Sequence, residues 1–337
     1  MTGKKTKKIK DTDYLFLSAR LRALEATMLT SARMDRMLDA PSAEDAAKIL
    51  TECGYAELAR VDVDTVNEML AKARDELMNE LGEAALDRNM VDVFKVKYDY
   101  HNAKVLLKSQ LKGEDASRLM VETGRIPAQT MADAFAAADW SALPERLGKA
   151  IAEAQELLGS TKDPQQSDML LDKAYFEDLL ELAQSTGSDF LMGYVRLQLD
   201  IANLRTTVRV LRMGKDSGYL RRVLFAGGEV DLDALSALAD GAGSLEDLYA
   251  FGPLTEAAAL GAKAVQGGSL TGFEKACDNA LVAYLALAHR VPFGEQPLIA
   301  YLAARDNEQT AIRIILTGRL AGLPTDVIRE RLRDCYV

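Results

Sequence analysis

The sequence predicts an all-α protein. Three observations carry that expectation. Strong helix formers dominate, and proline occurs only 8 times in 337 residues. Period-2 clusters of Val, Ile, Thr and Tyr are nearly absent, so strands have little support. One helical pattern also recurs three times, about 100 residues apart, which points to repeated units. With 48% apolar residues, the chain can bury two or three compact cores.

The opening MTGKKTKKIK holds five lysines and reads as part of a basic, solvated tail over 1–13. A sharper reading is weak contact with anionic lipid, worth roughly 1 kcal/mol per lysine near the surface. Three units are expected to follow, at 14–125, 126–229 and 230–337, each of ordinary domain size. Each contains an acidic helix start: LDAPSAEDAAKIL (38–50), AADWSALPERLGK (137–149) and LADGAGSLEDLYA (238–250). A Ser preceding carboxylates suits an N-cap with an acidic first turn.

The repeat is clearest in YDYHNAKVLLK (98–108), LDIANLRTTVR (199–209) and NEQTAIRIILT (307–317). Asp99, Asp200 and Glu308 share the acid position. Asn102 and Asn203 share the next, which becomes Ala311 in the third copy. Lys104, Arg205 and Arg313 share the base position. Each stretch leads into a second amphipathic segment: ASRLMVETGRI, GYLRRVLFAGGEV and DVIRERLRDCYV. Three such units are compatible with a solenoid or with closure around a pseudo-three-fold axis, and periodicity does not choose between them.

Read as a helix, 94–113 places Val96, Tyr100, Ala103, Leu107 and Leu111 on one face. The second copy supplies Leu197, Ile201, Leu204 and Val208, ending in Arg212. The third keeps Ile312, Leu316 and Leu320 but carries Arg305 and Gln309. Phe94, Tyr98, His101 and Val105 form a second stripe, so this helix is expected to be sandwiched, its aromatics in the core and His101 packed. The acid and base, five residues apart, stand about 140° apart around the helix and cannot pair with each other. The base therefore needs a partner elsewhere. That partner is either local to the unit or a tie between units, or the bases line a shared central surface.

The chain is acidic, with net charge −10, which disfavours general nucleic-acid binding. Cys53, Cys277 and Cys335 show no C-x-x-C spacing and read as reduced thiols of a cytosolic protein. The longest apolar run, ALVAYLALA (280–288), is too short for a bilayer span, and no signal peptide is evident, so a soluble protein is expected. His101 and His289 lack metal-ligand spacing. GGSLTGFEK (267–275) departs from a phosphate-binding loop at Phe273, and Gly214 in MGKDSG (213–218) reads as a helix C-cap. No catalytic, cofactor or metal site is expected. A helical scaffold for some other complex explains the repeats equally well.

Longer segments add a resemblance. FKVKYDYHNAKVLLK (94–108), YLALAHRVPFGEQPLIAYLAARDNEQTAIRIILTGRLAGLPTDVIRERL (284–332) and YLFLSARLRALEATML (14–29) resemble the C subunit of V/A-type rotary ATPases, known as the d subunit in eukaryotes. The likeness runs from about Tyr14 to Val337 and is weaker over 126–190. It implies an all-helical funnel of three similar units around a pseudo-three-fold axis. It further implies a non-catalytic rotor part, one copy per complex, peripheral on the cytoplasmic membrane face. There it would seat the central shaft on the membrane ring of proteolipid subunits and pass torque between ATP chemistry and ion movement. Asp99, Asn102, Lys104, Asp200, Asn203, Arg205, Glu308 and Arg313 are the candidate interaction or inter-unit residues.

Overall fold

The computed structural model describes residues 9–337. Of the stretch read as a tail, residues 1–8 lie outside the described residues, and Asp11–Tyr14 form a single 3-10 turn leading into the first helix. Every regular element among the described residues is helical. In chain order these are α1 (Leu15–Glu25), α2 (Ser31–Asp39), α3 (Ala43–Lys48), α4 (Val63–Ala84), α5 (Asn89–Lys112), α6 (Ala128–Ala137), α7 (Glu145–Thr161) and α8 (Pro164–Thr186). There follow α9 (Asp189–Arg212), α10 (Ser217–Val223), α11 (Leu232–Ala237), α12 (Leu245–Leu248), α13 (Thr255–Val265), α14 (Leu270–Leu285), α15 (Glu295–Leu320) and α16 (Thr325–Glu330).

The repeated stretches are the long helices α5, α9 and α15. Each stops at a glycine in the left-handed region, Gly113 (φ 70°), Gly214 (φ 63°) and Gly322 (φ 68°), at equivalent places in the repeat. A side chain there would meet its own carbonyl, so glycine is the residue that ends these helices cheaply. Two of the expected caps are present. Ser42 accepts from the Asp45 N–H and Ser244 from the Asp247 N–H, each at 3.0 Å. The middle copy differs: Pro144 precedes α7 and Ser141 does not cap it. Pro144 itself occupies the cap position (φ −53°, ψ 139°) and has no side-chain acceptor, so α7 starts without a side-chain cap.

Three hydrophobic cores form among the described residues. The N-terminal halves of all three repeat helices meet in the largest: Phe94 of α5, Val195 of α9 and Ala303 of α15 are equivalent positions buried together. Beyond that the helices part. α5 continues along α6, α7 and α8 through Ala103, Leu106 and Leu107. α9 enters a second core with α10, α11, α13 and α14, through Ile201, Leu204 and Val208. α15 enters a third, through Ile312, Ile315 and Leu316, built with α16 and with Met37, Leu38, Leu50 and Leu70 from the early helices. That third core joins residues 29–70 to 311–332.

The predicted apolar face of α5 is buried from Val96 to Leu107, but Leu111 is exposed, as is Leu320 on α15. Both sit in the last turn, past the edge of their core. The second stripe is not sandwiched along its length. Phe94 is buried and Tyr98 half-buried, while His101 is exposed rather than packed, although its Nε2 lies at hydrogen-bond distance, 3.1 Å, from the Leu119 carbonyl. The reason is an open concavity on that side of the helix.

Candidate functional site

The acid positions of the first two copies do one job. Asp99 is fully buried and accepts the Ile126 N–H at 3.2 Å. Asp200 accepts the Glu229 and Val230 N–H groups at 3.0 and 3.2 Å. Burial pushes both carboxyls above the usual range, against the pull of Arg125 on Asp99 and of backbone donors on Asp200. Each carboxylate lies against a glycine of the following turn, Gly124 or Gly228, where a Cβ would strike the acid's oxygen. The asparagine completes the clamp. Asn102 exchanges two hydrogen bonds with the Val121 backbone, and Asn203 two with Phe225, all at 2.8 Å. An amide offers a donor and an acceptor in one plane, which a returning strand of backbone needs when it is buried.

The third copy uses its acid differently. Glu308 Oε2 accepts the Leu29 N–H at 2.5 Å, and Oε1 accepts the Tyr55 hydroxyl at 2.7 Å. Arg305 pairs with Glu308 at 2.5 Å and lies over the Tyr55 ring. Glutamate reaches farther than aspartate, and its partners come from the connections between the early helices instead of the turn after α15.

Each base meets the long helix that closes its core. Lys104 pairs with Asp172 on α8 at 2.5 Å, and Lys108 with Asp168 at 2.6 Å. On α14, Asp278 pairs with Arg205 at 2.6 Å and Glu274 with Arg209 at 2.7 Å. These are matching two-rung ladders. In the third copy Arg313 Nε donates to Asn67 Oδ1 on α4 at 2.9 Å, an amide standing where the other copies have a carboxylate. In no copy does the acid pair with its own base.

Sequence reasoning missed a second set of equivalent positions, Lys97, Gln198 and Asp306, one register step earlier than Tyr98. Lys97 Nζ lies 2.6 Å from Asp306 Oδ2, and Gln198 donates to the Tyr194 hydroxyl at 3.0 Å. The pair is hemmed in by Tyr98, Tyr175 and Tyr194, yet Lys97 stays 34% and Asp306 41% exposed, as on the wall of an open hollow. Burial alone would raise the Asp306 carboxyl, but Lys97 beside it holds it below the usual range. Asp306 in turn raises the Lys97 ammonium. The hollow beside them holds about 370 Å³ and is lined by Arg74, Tyr98, His101 and Arg313 as well.

Among the described residues no helix is long and apolar enough to cross a membrane, and no three His, Cys, Asp or Glu side chains cluster as metal ligands would. A family model described as ATP synthase (C/AC39) subunit matches residues 17–331, nearly the whole chain. The chain belongs to that family. The C subunit of the V-type sodium ATPase of Enterococcus hirae is 23% identical over 327 residues, covering 96% of this chain and 99% of that protein. Its counterpart in the V-type ATP synthase of Thermus thermophilus is 25% identical, covering 95% and 98%. The counterpart in the A-type ATP synthase of Methanocaldococcus jannaschii is 24% identical, covering 95% and 86%. Within this C/AC39 chain the clamp residues were legible in sequence because Asp-x-x-Asn recurs unchanged. Gly124 and Gly228 carry a signal too, in TGRI and GGEV, that a search for close backbone approach would have found.

Proposed function

We propose that this chain is a non-catalytic rotor subunit of a V/A-type ATPase, a socket seating the central shaft on the membrane ring. One copy per complex sits at the cytoplasmic face, held by its protein partners. Torque then passes through it between ATP chemistry and ion movement. In this reading three similar helical units surround a pseudo-three-fold axis, and the body widens into a funnel.

The observation that carries the reading is the behaviour of α5, α9 and α15. Their equivalent N-terminal halves share one core; beyond it α5 continues in that core, while α9 and α15 enter two separate ones. Helices that converge at one end and part at the other enclose a conical space. Membership of the C/AC39 family supports the same role. With the units bounded at 126 and 230, all three bases reach into the next unit: Lys104 to Asp172, Arg205 to Asp278, and Arg313 to Asn67. Asp99, Asn102, Asp200 and Asn203 brace the turns between those units, and Glu308 ties α15 to Leu29 and Tyr55 of the first unit. Such ties suit a part that must transmit torque without its units shearing.

The test is a pull-down of the tagged chain from mildly solubilised source membranes, with bound proteins identified by mass spectrometry. Recovery of the small ring protein with the shaft proteins is expected. Recovery of unrelated soluble proteins alone would leave a helical scaffold, and ATP hydrolysis by the isolated chain would overturn the non-catalytic assignment.

A further inference from the structure

The three repeat helices treat their bases unequally. Lys104 and Arg205 are neutralised by Asp172 and Asp278, but the equivalent Arg313 faces only the neutral Asn67. Its Nε is held from behind by Asn67, and among the described residues its two Nη groups have no protein partner. Arg74 on α4 is mounted the same way. Thr123 Oγ1 accepts its Nε–H at 2.8 Å, the guanidinium lies 4.7 Å from the centre of the Tyr98 ring, and the nearest carboxylate, Asp75, stands 3.9 Å from Nε. Both guanidinium groups line the same hollow of about 370 Å³. Arg74, Arg313 and Lys97 against the single Asp306 leave its lining two charges positive, in a chain whose net charge is −10.

We propose that this hollow, between α4, α5 and α15, docks an acidic peptide segment of a partner protein, whose carboxylates the Nη forks of Arg74 and Arg313 receive. A guanidinium fork fixed at Nε presents its remaining donors in the plane that a carboxylate fits. The space is too large for a single small oxyanion to fill, and its other lining groups suit a peptide. Tyr98 and Val121 offer apolar surface, the half-exposed Asp306 can accept a peptide N–H, and Gln309 can both donate and accept. Asp306 also penalises a compact, multiply charged ion. The net negative charge of the chain repels such a peptide elsewhere, so binding is favoured at this positive hollow. The proposal does not depend on the rotor assignment: any partner with an exposed acidic segment meets its terms.

The chain has two histidines, and they make the test local. His101 lines the hollow, whereas His289 stacks on Tyr336 away from it. The ring signals of the full chain are followed by NMR while acetylated hexaglutamate is added, and inorganic phosphate in a separate arm. The peptide is expected to shift His101 saturably and leave His289 in place. Arg313→Gln, and separately Asn67→Asp, which restores the carboxylate of the other two copies, are each expected to weaken binding at least tenfold. An unmoved His289 signal in both variants reports an intact fold. Phosphate acting on His101 as strongly as the peptide would replace the proposal with a small-anion site. No saturable shift at His101, or undiminished binding by Asn67→Asp, would overturn it.

Discussion

Asn203 and Phe225 exchange two hydrogen bonds, amide N–H to carbonyl and backbone N–H to amide oxygen, both 2.8 Å long. Asn102 and Val121 repeat the pair with the same lengths. The asparagine is thus the clasp that folds the segment after each of these helices back onto its own helix.

Removing the clasp strands two backbone groups at once. Asn203→Ala is expected to cost about 2–3 kcal/mol, the usual penalty for leaving a buried donor and acceptor unpaired. Asn203→Asp keeps the acceptor but loses the donor and adds a buried charge, so it should be no better. Urea unfolding measures both. A loss below about 0.5 kcal/mol would mean that water replaces the amide without penalty.

The three bases should respond unequally to charge reversal. Arg205→Glu would set three carboxylates together with Glu274 and Asp278, all about three-quarters buried, and should cost about 3 kcal/mol. Lys104→Glu faces Asp172, whose side chain is 40% exposed, and should cost about 1 kcal/mol. Arg313→Glu faces no acid at Asn67 and should cost least. Equal losses across the three, measured by the same unfolding method, would contradict this ranking.

The Lys97–Asp306 pair gives a pH signature. Asp306 is depressed in the folded chain, so its stabilisation is present above the ordinary carboxylate pKa of about 3.9 and is lost as pH falls through the lower folded value. Lys97 is raised, so its share is present below about pH 10.4 and is lost as pH rises through the higher folded value. Both side chains are at least a third exposed, and solvent screening limits the pair to about 1 kcal/mol or less. The stability difference between the native chain and Asp306→Asn should be flat from about pH 5 to about pH 9 and shrink towards about pH 3, where carboxylates take up protons. A difference that persists undiminished in acid would rule the pair out as its source.

How much of this is legible in the sequence depends on whether chemistry repeats. Asp99 and Asp200, with their asparagines, stand out because two copies keep the same residues for the same backbone task. Lys97, Gln198 and Asp306 occupy one repeat position with a base, an amide and an acid, so no likeness of residues marks them. Only the meeting of Lys97 and Asp306 in space does. Asn67 is invisible for another reason: it lies 246 residues from Arg313, and a neutral residue on a helix carries no periodic signal. The partners of α15 are hidden likewise, since the apolar faces of α4, α8 and α14 look alike and only packing decides which helix each meets. The cap on α7 failed because the cap position falls three residues beyond Ser141, on Pro144, which has no side-chain acceptor.

The core joining residues 29–70 to 311–332 sets a timetable for synthesis. Met37, Leu38, Leu50 and Leu70 leave the ribosome early, yet Ile312 and Leu316, which cover them, follow only about 240 to 280 residues later. At roughly 5–20 residues per second, the nascent chain carries that bare apolar surface for on the order of ten to fifty seconds. During that interval chaperone capture competes with self-association. A premature stop before α15 would release a polypeptide whose first helices have nothing to close against, which makes it a substrate for proteolysis.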